Sequence, residues 1–523
     1  MRHRTETRPL RAVLAPPPQW RLAAVALAMA SVGLAAHAQS SDPQAPRGSF
    51  FTPTLSLGQT YVRGTGAVDG GGKGEFITRI SPGLTWISRA GRVQGSANYA
   101  LDTSLYSRRK GDQGLANNLN GSLRVEAIEN RAYVDAQANI SQRSISPFGQ
   151  QSGSDTFQAN ANRTEVINVA VSPYVRGSLA GVADYQLRLS GSATDSRSGS
   201  ANNSYNGSAS VSLRSSASQS RFGWGASASE QRVVFRQGRT TSNSRINGEL
   251  NFRPDVDWLL FVNGGAEQTD VLQSGGASYG NWGGGVRWTP SPRTSATLQA
   301  DRRYFGDSHR LVLEHRMSRS VFRFSDFRDA TSGSDPFSVS RSITAFEDLF
   351  AQNDAAGVKD PALNALLVAQ QLAVRGLNAN DVVGFGSFLT TSVSLQRRQE
   401  LSFSWSGTRT SFSLQAFATE LSLLTAAAVG NSALSAGVKQ SGQTASASYR
   451  LTPTAAVNAF VSRQVTPGSG SQLGNSLRTA SLGYSEQLSR TLSLTLNARY
   501  SLFEGPISPY REAQASAGLL FRF

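Results

Sequence analysis

The chain has 523 residues, 16% charged and 39% hydrophobic, with 50 glycines, no cysteine and a formal net charge of +16. A soluble globular chain carries about a quarter charged residues, and a disordered chain lacks the aliphatic and aromatic residues that recur throughout this one. The missing cysteine excludes a disulfide framework, a cysteine-based zinc site and a thiol nucleophile.

Residues 1–38 read as a secretory signal peptide. Arg2, Arg4, Arg8, Arg11 and Arg21 precede an apolar run at 22–36, and Ala36-His37-Ala38 forms a small-x-small cleavage site flanked by Ala36 and Ala38. The competing reading is an anchoring helix, but a bilayer span needs about 20 apolar residues. Residues 39–50 form a flexible segment too short for a folded plug, so transport of the plugged, TonB-dependent design is not expected.

From Phe51 onward the repeated signal is alternation of apolar and polar residues. At 118–127, Leu119, Gly121, Leu123, Val125 and Ala127 take one face, and Asn118, Asn120, Ser122, Arg124 and Glu126 the other. The same pattern recurs at 131–141, 203–214 and 491–500. About 22 such segments, within a range of 18–24, fill residues 51–523. Connectors alternate between short and long from end to end, which is the periplasmic-turn and outer-loop pattern of a transmembrane antiparallel β-barrel. The expected fold is therefore an all-β outer-membrane barrel. A β-sandwich would show shorter strands, and a β-helix a fixed short repeat.

The largest interruption is the insertion at 329–386, whose segment 360–378 has a helix start at Asp360-Pro361 and a helical apolar period. By loop parity it lies outside, either folded back into the lumen as a constriction or packed on neighbouring loops. At the C-terminus, Gly518 is followed by Phe521 and Phe523 at alternate positions, a pattern that resembles the signal outer-membrane barrels present to the barrel assembly machinery.

Strand parity assigns Arg124, Glu126, Asp135, Asp184, Arg188, Asp301, Arg303, Arg316, Arg323, Arg398 and Arg499 to the lumen. Charged walls tune selectivity in pores, and arginine holds carboxylates through two hydrogen bonds. The bland alternative is that these charges pair across strands and brace the wall. Only His309 and His315 follow the signal peptide's cleavage site, and no phosphate loop, metal-ligand cluster or nucleophile motif accompanies them, so no enzyme, cofactor or metal is expected. The arginines are dispersed rather than run together, which argues against nucleic acid.

FTPTLSLGQTYV (51–62), FITRISPGLTW (76–86), RVQGSANYALDTSLYSR (92–108), NNLNGSLRVEAIENRAYVDAQANISQRSISPFG (117–149) and WTPSPRTSATLQADRRYFGDSHRLVLEHR (288–316) resemble the PEP-CTERM system-associated outer-membrane proteins. The resemblance implies an outer-membrane barrel found with exosortase and extracellular-polysaccharide systems, and brings no functional residues with it. The functional expectation is a channel or export conduit in the cell outer membrane. Its surroundings would be lipid and lipopolysaccharide, and an anionic polysaccharide is the candidate cargo. The alternative is a closed structural or adhesive barrel acting through its outer loops.

Overall fold

The computed structural model describes residues 48–65, 74–108, 113–151, 162–197, 203–216, 221–236, 238–331, 393–424, 437–506 and 509–523. The signal-peptide reading, Ala36, Ala38, most of the 39–50 segment and the helix expected at 360–378 lie outside them.

Twenty-two strands form one closed antiparallel sheet. They are β1 (Ser49–Thr65), β2 (Glu75–Ala90), β3 (Val93–Tyr106), β4 (Gln113–Ile128), β5 (Ala132–Ser144), β6 (Arg163–Leu179), β7 (Ala183–Ser196), β8 (Ser204–Ser215), β9 (Phe222–Phe235), β10 (Thr241–Phe252), β11 (Trp258–Thr269), β12 (Ala277–Ser291), β13 (Thr294–Arg303), β14 (Gly306–Arg316), β15 (Ser320–Thr331), β16 (Ser394–Ser406), β17 (Thr410–Leu423), β18 (Val438–Arg450), β19 (Ala455–Thr466), β20 (Asn475–Gln487), β21 (Leu492–Glu504) and β22 (Tyr510–Arg522). Each pairs with its chain neighbours, and β1 pairs with β22 from Thr54↔Arg522 to Thr65↔Arg511. Closure leaves no sheet edge, which is what a β-structure needs in lipid, where an unpaired backbone group has no water to turn to. β1 starts at Ser49, two residues before the expected first strand, and β16 starts at Ser394, well after the expected 387.

Connectors after even-numbered strands are short in sequence. Asn130 (φ 56°) and Gly181 (φ 72°) hold left-handed conformations in two of them, which asparagine and glycine tolerate best. These connectors define the turn end of the barrel, where both β1 begins and β22 ends. Connectors after odd strands define the loop end and are generally longer, although 236–240 and 505–509 are no longer than 253–257 and Tyr304-Phe305 is a two-residue turn.

The outer face is apolar. Ile246, Leu250, Val262, Leu298, Val461 and Leu482 all point outward and are more than 45% exposed. Near the turn end this face carries aromatic pairs: Phe51 with Trp86, Phe222 with Phe252, and Trp258 with Trp288, with ring centroids 6.4, 5.0 and 5.7 Å apart. Near the loop end it changes to charged pairs, including Arg302–Asp307 at 2.6 Å, Arg397–Asp326 at 2.9 Å and Lys439–Glu420 at 3.0 Å. On β16 the distance from outward Trp405 up to Arg397 is about 20 Å along the barrel axis, given the strand rise and tilt. An apolar band of that order between an aromatic girdle and a charged belt fits a membrane core.

Candidate functional site

The lumen is the chemical surface of this molecule, because inward side chains alternate with the apolar outward ones on every strand. By register, each of the eleven sequence-assigned charges is on the face opposite the exposed apolar residues. Arg124 opposes Asp135, for example, while their neighbours Val125 and Val134 oppose each other outside.

Near the turn end, Arg124 Nε donates to Asp135 at 2.8 Å, and Arg188 lies 3.4 Å from the same carboxylate. Arg188 also donates to Ser172 at 2.9 Å and sits 4.1 Å from the centroid of Tyr174. Tyr174 stacks on Tyr133 at 5.1 Å, and Arg176 covers Tyr133 at 4.6 Å. The result is an Arg–Tyr–Tyr–Arg ladder on the wall. Glu126 accepts from the Tyr133 hydroxyl at 3.1 Å and from the Asn130 amide. Arg316 pairs with Glu314. Arg323 and Asp184 are exposed to the lumen, and neither has a described ion-pair partner.

Nearer the loop end several of the charges are buried and paired. Arg303 lies between Glu267 (2.6 Å) and Asp329 (2.8 Å), with the Glu267 side chain fully buried. Asp301 accepts from Asn263 and Gln299. Arg398 pairs with Glu400, which also accepts from Gln415. Arg79, Ser81 and Asn118 converge on Asp102, which is 2% exposed. Arg499 faces inward beside Glu512 on β22. These contacts are the wall-bracing pairs expected as the bland reading.

The two ends differ in charge. Among described inward side chains on the turn-end half, Arg124, Arg176, Arg188, Arg214, Arg287, Arg316, Arg323, Arg450 and Arg522 meet Glu126, Asp135, Asp184, Glu249 and Glu314. On the loop-end half, Arg79, Arg143, Arg245, Arg303, Arg310, Arg398 and Arg499 are matched by Glu75, Asp102, Glu267, Asp301, Asp329, Glu400 and Glu512.

A strap crosses the loop-end mouth. Residues 145–151, the first part of the β5–β6 connector, leave the wall and reach the far side. Phe148 (4% exposed) packs on Val438, Leu421 and Leu423 of β17 and β18. The Asn475 amide donates to the carbonyls of Pro147 (3.0 Å) and Gly149 (3.4 Å), and the Tyr510 hydroxyl donates to the carbonyl of Gln151 (2.9 Å). β6 and β17 are eleven strands apart in a ring of 22, so they are opposite walls. A circular ring of this strand number would measure roughly 40 Å across. An extended chain advances at most ~3.6 Å per residue, so the four residues from Ser144 to Phe148 pull the two walls well inside that diameter. A second apolar cluster at the same mouth joins Val233, Phe235, Val271, Tyr304 and Val393, and burial pushes the Tyr304 phenol above its usual range.

The sequence offers the 329–386 insertion as either a constriction or a cap on neighbouring loops, and residues 332–392 lie outside the described ones; the strap itself has no motif in the sequence. Its one local signal is Pro147-Phe148-Gly149, an aromatic residue between two chain punctuators in a polar connector. His309 and His315 point outward on β14. His309 is 3.1 Å from Asp326 and opposes Ala300 and Arg328, and His315 Nδ1 is 2.8 Å from the Thr294 hydroxyl. Among the described residues no group of three or more His, Asp or Glu forms a potential metal site.

The closed ring, apolar band and charged lumen define a transmembrane β-barrel of outer-membrane type. No family model and no curated protein matches the chain. Among solved structures it is similar to the siderophore receptor PirA from Pseudomonas aeruginosa (10% identity, 90% of this chain and 80% of that one, TM-score 0.44). It is also similar to the FrpB iron transporter from Neisseria meningitidis in its F5-1 variant (11% identity, 89% and 82%, TM-score 0.47) and in the apoprotein form (11%, 89% and 81%, TM-score 0.48).

Proposed function

We propose that the protein is an outer-membrane conduit whose loop-end mouth is narrowed by the docked 145–151 strap. The observation that carries this reading is the combination of a closed 22-strand ring lined by polar side chains with a strap docked across its mouth. Among the described residues, the strap's contacts with the far wall include the Phe148 ring and the Asn475 and Tyr510 side chains. A conduit needs a polar, charged wall of this kind. The resemblance to PEP-CTERM system-associated proteins supports traffic of extracellular polysaccharide or surface protein as the setting, with arginine suited to acidic cargo.

The second reading, a closed structural or adhesive barrel, draws on a different observation. Several inward polar residues near the loop end are almost wholly buried, including Ser394 (0%), Thr466 (0%) and Glu267 (1%). Single-channel recording of the refolded protein in planar bilayers separates the two, with residues 332–392 present or deleted and the strap anchored or released. Stepwise conductance in the intact or strap-released protein is expected. Its absence in every form overturns the conduit and leaves the closed barrel.

A further inference from the structure

We propose that the turn end of the barrel is the entry port for a linear, carboxylate-bearing polyanion, captured by a ring of turn arginines and drawn into the lumen. The proposal rests on the conduit reading and adds the class of cargo and the side from which it enters.

The ring is not visible in any single turn. Eight of the ten short connectors carry an arginine: Arg92, Arg131, Arg221, Arg253, Arg293, Arg319, Arg409 and Arg490, all exposed. The described acidic residues in these turns are Glu129, Asp255 and Asp257. Successive hairpins are about 12 Å apart around the ring, given the strand spacing and tilt. Backbone contacts bring some arginines closer still. The Arg253 amide donates to the Arg221 carbonyl, that of Arg316 to Arg293, and that of Arg450 to Arg409. Turn closure uses the backbone and is indifferent to the side chain, so the fold does not require guanidinium groups here. Of the ring, Arg92 pairs with Glu129 at 3.9 Å, an exposed and weak contact. No carboxylate is within ion-pair distance of Arg131, Arg221, Arg293, Arg319, Arg409 or Arg490 among the described residues. These six exposed charges repel one another only weakly across about 12 Å at physiological salt, but together they give the rim a positive potential that an anionic partner would meet.

Three classes of anion are conceivable, and the lumen decides among them. Inner-leaflet phosphates reach the rim but not the inside of the wall. An acidic globular protein likewise meets only the rim. The excess of arginine continues inward past the rim, through Arg450, Arg316 and Arg214 to the Arg176–Tyr133–Tyr174–Arg188 ladder. It then ends, because the loop-end half is charge-balanced. Only a flexible chain meets both surfaces. A polyanion would be concentrated at the rim, follow the arginine wall, and encounter no net attraction farther on to trap it. Planar guanidinium groups favour carboxylates over diffuse charge through paired hydrogen bonds, so a polyuronate-like chain fits better than a neutral glucan.

The test uses the full-length barrel in planar bilayers of known orientation, with polygalacturonate and neutral dextran of matched length as probes. Polygalacturonate added on the turn side should interrupt the current at least tenfold more often than from the loop side. Dextran should show no such asymmetry. Raising the salt from 0.1 to 1 M should remove most of the difference, because the screening length falls from about 10 Å to 3 Å. A variant with Arg131, Arg293, Arg319, Arg409 and Arg490 changed to Gln should lose the asymmetry, and the same set changed to Lys should keep much of it. Equal interruption from both sides, or a glutamine variant that behaves like wild type, overturns the proposal. Binding of fluorescent polygalacturonate to detergent-solubilised protein is the second arm. Salt-sensitive, rim-dependent binding without conductance upholds the port and overturns the conduit. Conductance without binding upholds the conduit and overturns the port. If binding is found only to anionic-lipid vesicles, the ring is a lipid anchor and the proposal fails.

Discussion

Releasing the strap should open the loop-end mouth, and its contacts set the size of the effect. Phe148→Ala removes a nearly fully buried ring from Val438, Leu421 and Leu423, a loss of about 3 kcal/mol for a packed phenylalanine. Asn475→Ala removes the donor to Pro147 and Gly149, worth about 1 kcal/mol net. At 1.4 kcal/mol per tenfold, about 4 kcal/mol shifts docking by roughly a thousandfold. A strap docked in all but one molecule in a hundred would then be mostly undocked. Single-channel recording should show a larger mean conductance and fewer brief closures in the double variant. Because the chain has no cysteine, the reverse experiment is clean. Phe148→Cys with Val438→Cys, bridged by a short bis-methanethiosulfonate, should hold the strap down, and reductant should restore the current. If bridged and reduced channels conduct alike, and the double alanine variant matches wild type, the strap does not govern passage and the reasoning is refuted.

Three other outcomes follow from the wall and the seam. Asp102→Ala strips a buried carboxylate from Arg79, Ser81 and Asn118 and should cost about 3 kcal/mol, read as an earlier urea midpoint for the folded band on gels, with Asp102→Asn intermediate. Val262→Arg places a charge on the lipid face, where the residue is 60% exposed, and should lose about 2–4 kcal/mol. Asn263→Arg, one residue along and facing the lumen, should lose much less in the same titration, and equal losses would invalidate the facing assignment. Phe521→Ala combined with deletion of Phe523 should lower the yield of folded barrel in the membrane while leaving expression unchanged. Phe521 opposes Leu55 and Leu492 across the closing seam, and the Phe523 amide donates to Pro53, so a normal yield would mean that the terminal pattern is only a last strand.

The barrel was legible in the sequence because period-two alternation and loop parity are properties of each strand and its neighbours. Residues 118–127 declare their two faces without reference to anything distant, and the short-long rhythm of connectors counts the strands. The same parity sorts charged residues between the two faces, but it does not give their partners. Arg303 meets Glu267 from β11 and Asp329 from β15, separated by 36 and 26 residues, and no local pattern sets such a pairing. The sequence reading named Arg303 and Arg398 but not Glu267, Asp329 or Glu400, although parity applies to them equally. The strap is a harder case. Phe148 finds its pocket only because closure of all 22 strands brings β17 and β18 opposite β5 and β6. Its anchor Asn475 lies 328 residues from Pro147, so no periodicity can connect them.

The charge gradient and the strap fit together in one physical scheme. Attraction along the whole lumen would bind a polyanion tightly and release it slowly, whereas conduction requires binding that is favourable on entry and weak at exit. Confining the arginine excess to the turn-end half satisfies the first condition, and matched charge in the loop-end half satisfies the second. A strap at the balanced end then faces cargo that is no longer held by the wall, so a modest docking free energy suffices to regulate passage. Placed in the arginine-rich half instead, the strap would have to be displaced against cargo that is itself bound. Its contacts have the right character for the observed position: they are apolar and neutral hydrogen bonds, from Phe148, Asn475 and Tyr510. Docking should accordingly be insensitive to salt while capture is steeply salt-dependent. Recording strap closures and polygalacturonate interruptions in one channel at 0.1 and 1 M salt separates the two, and a strap that responds to salt as strongly as capture does would dissolve the scheme.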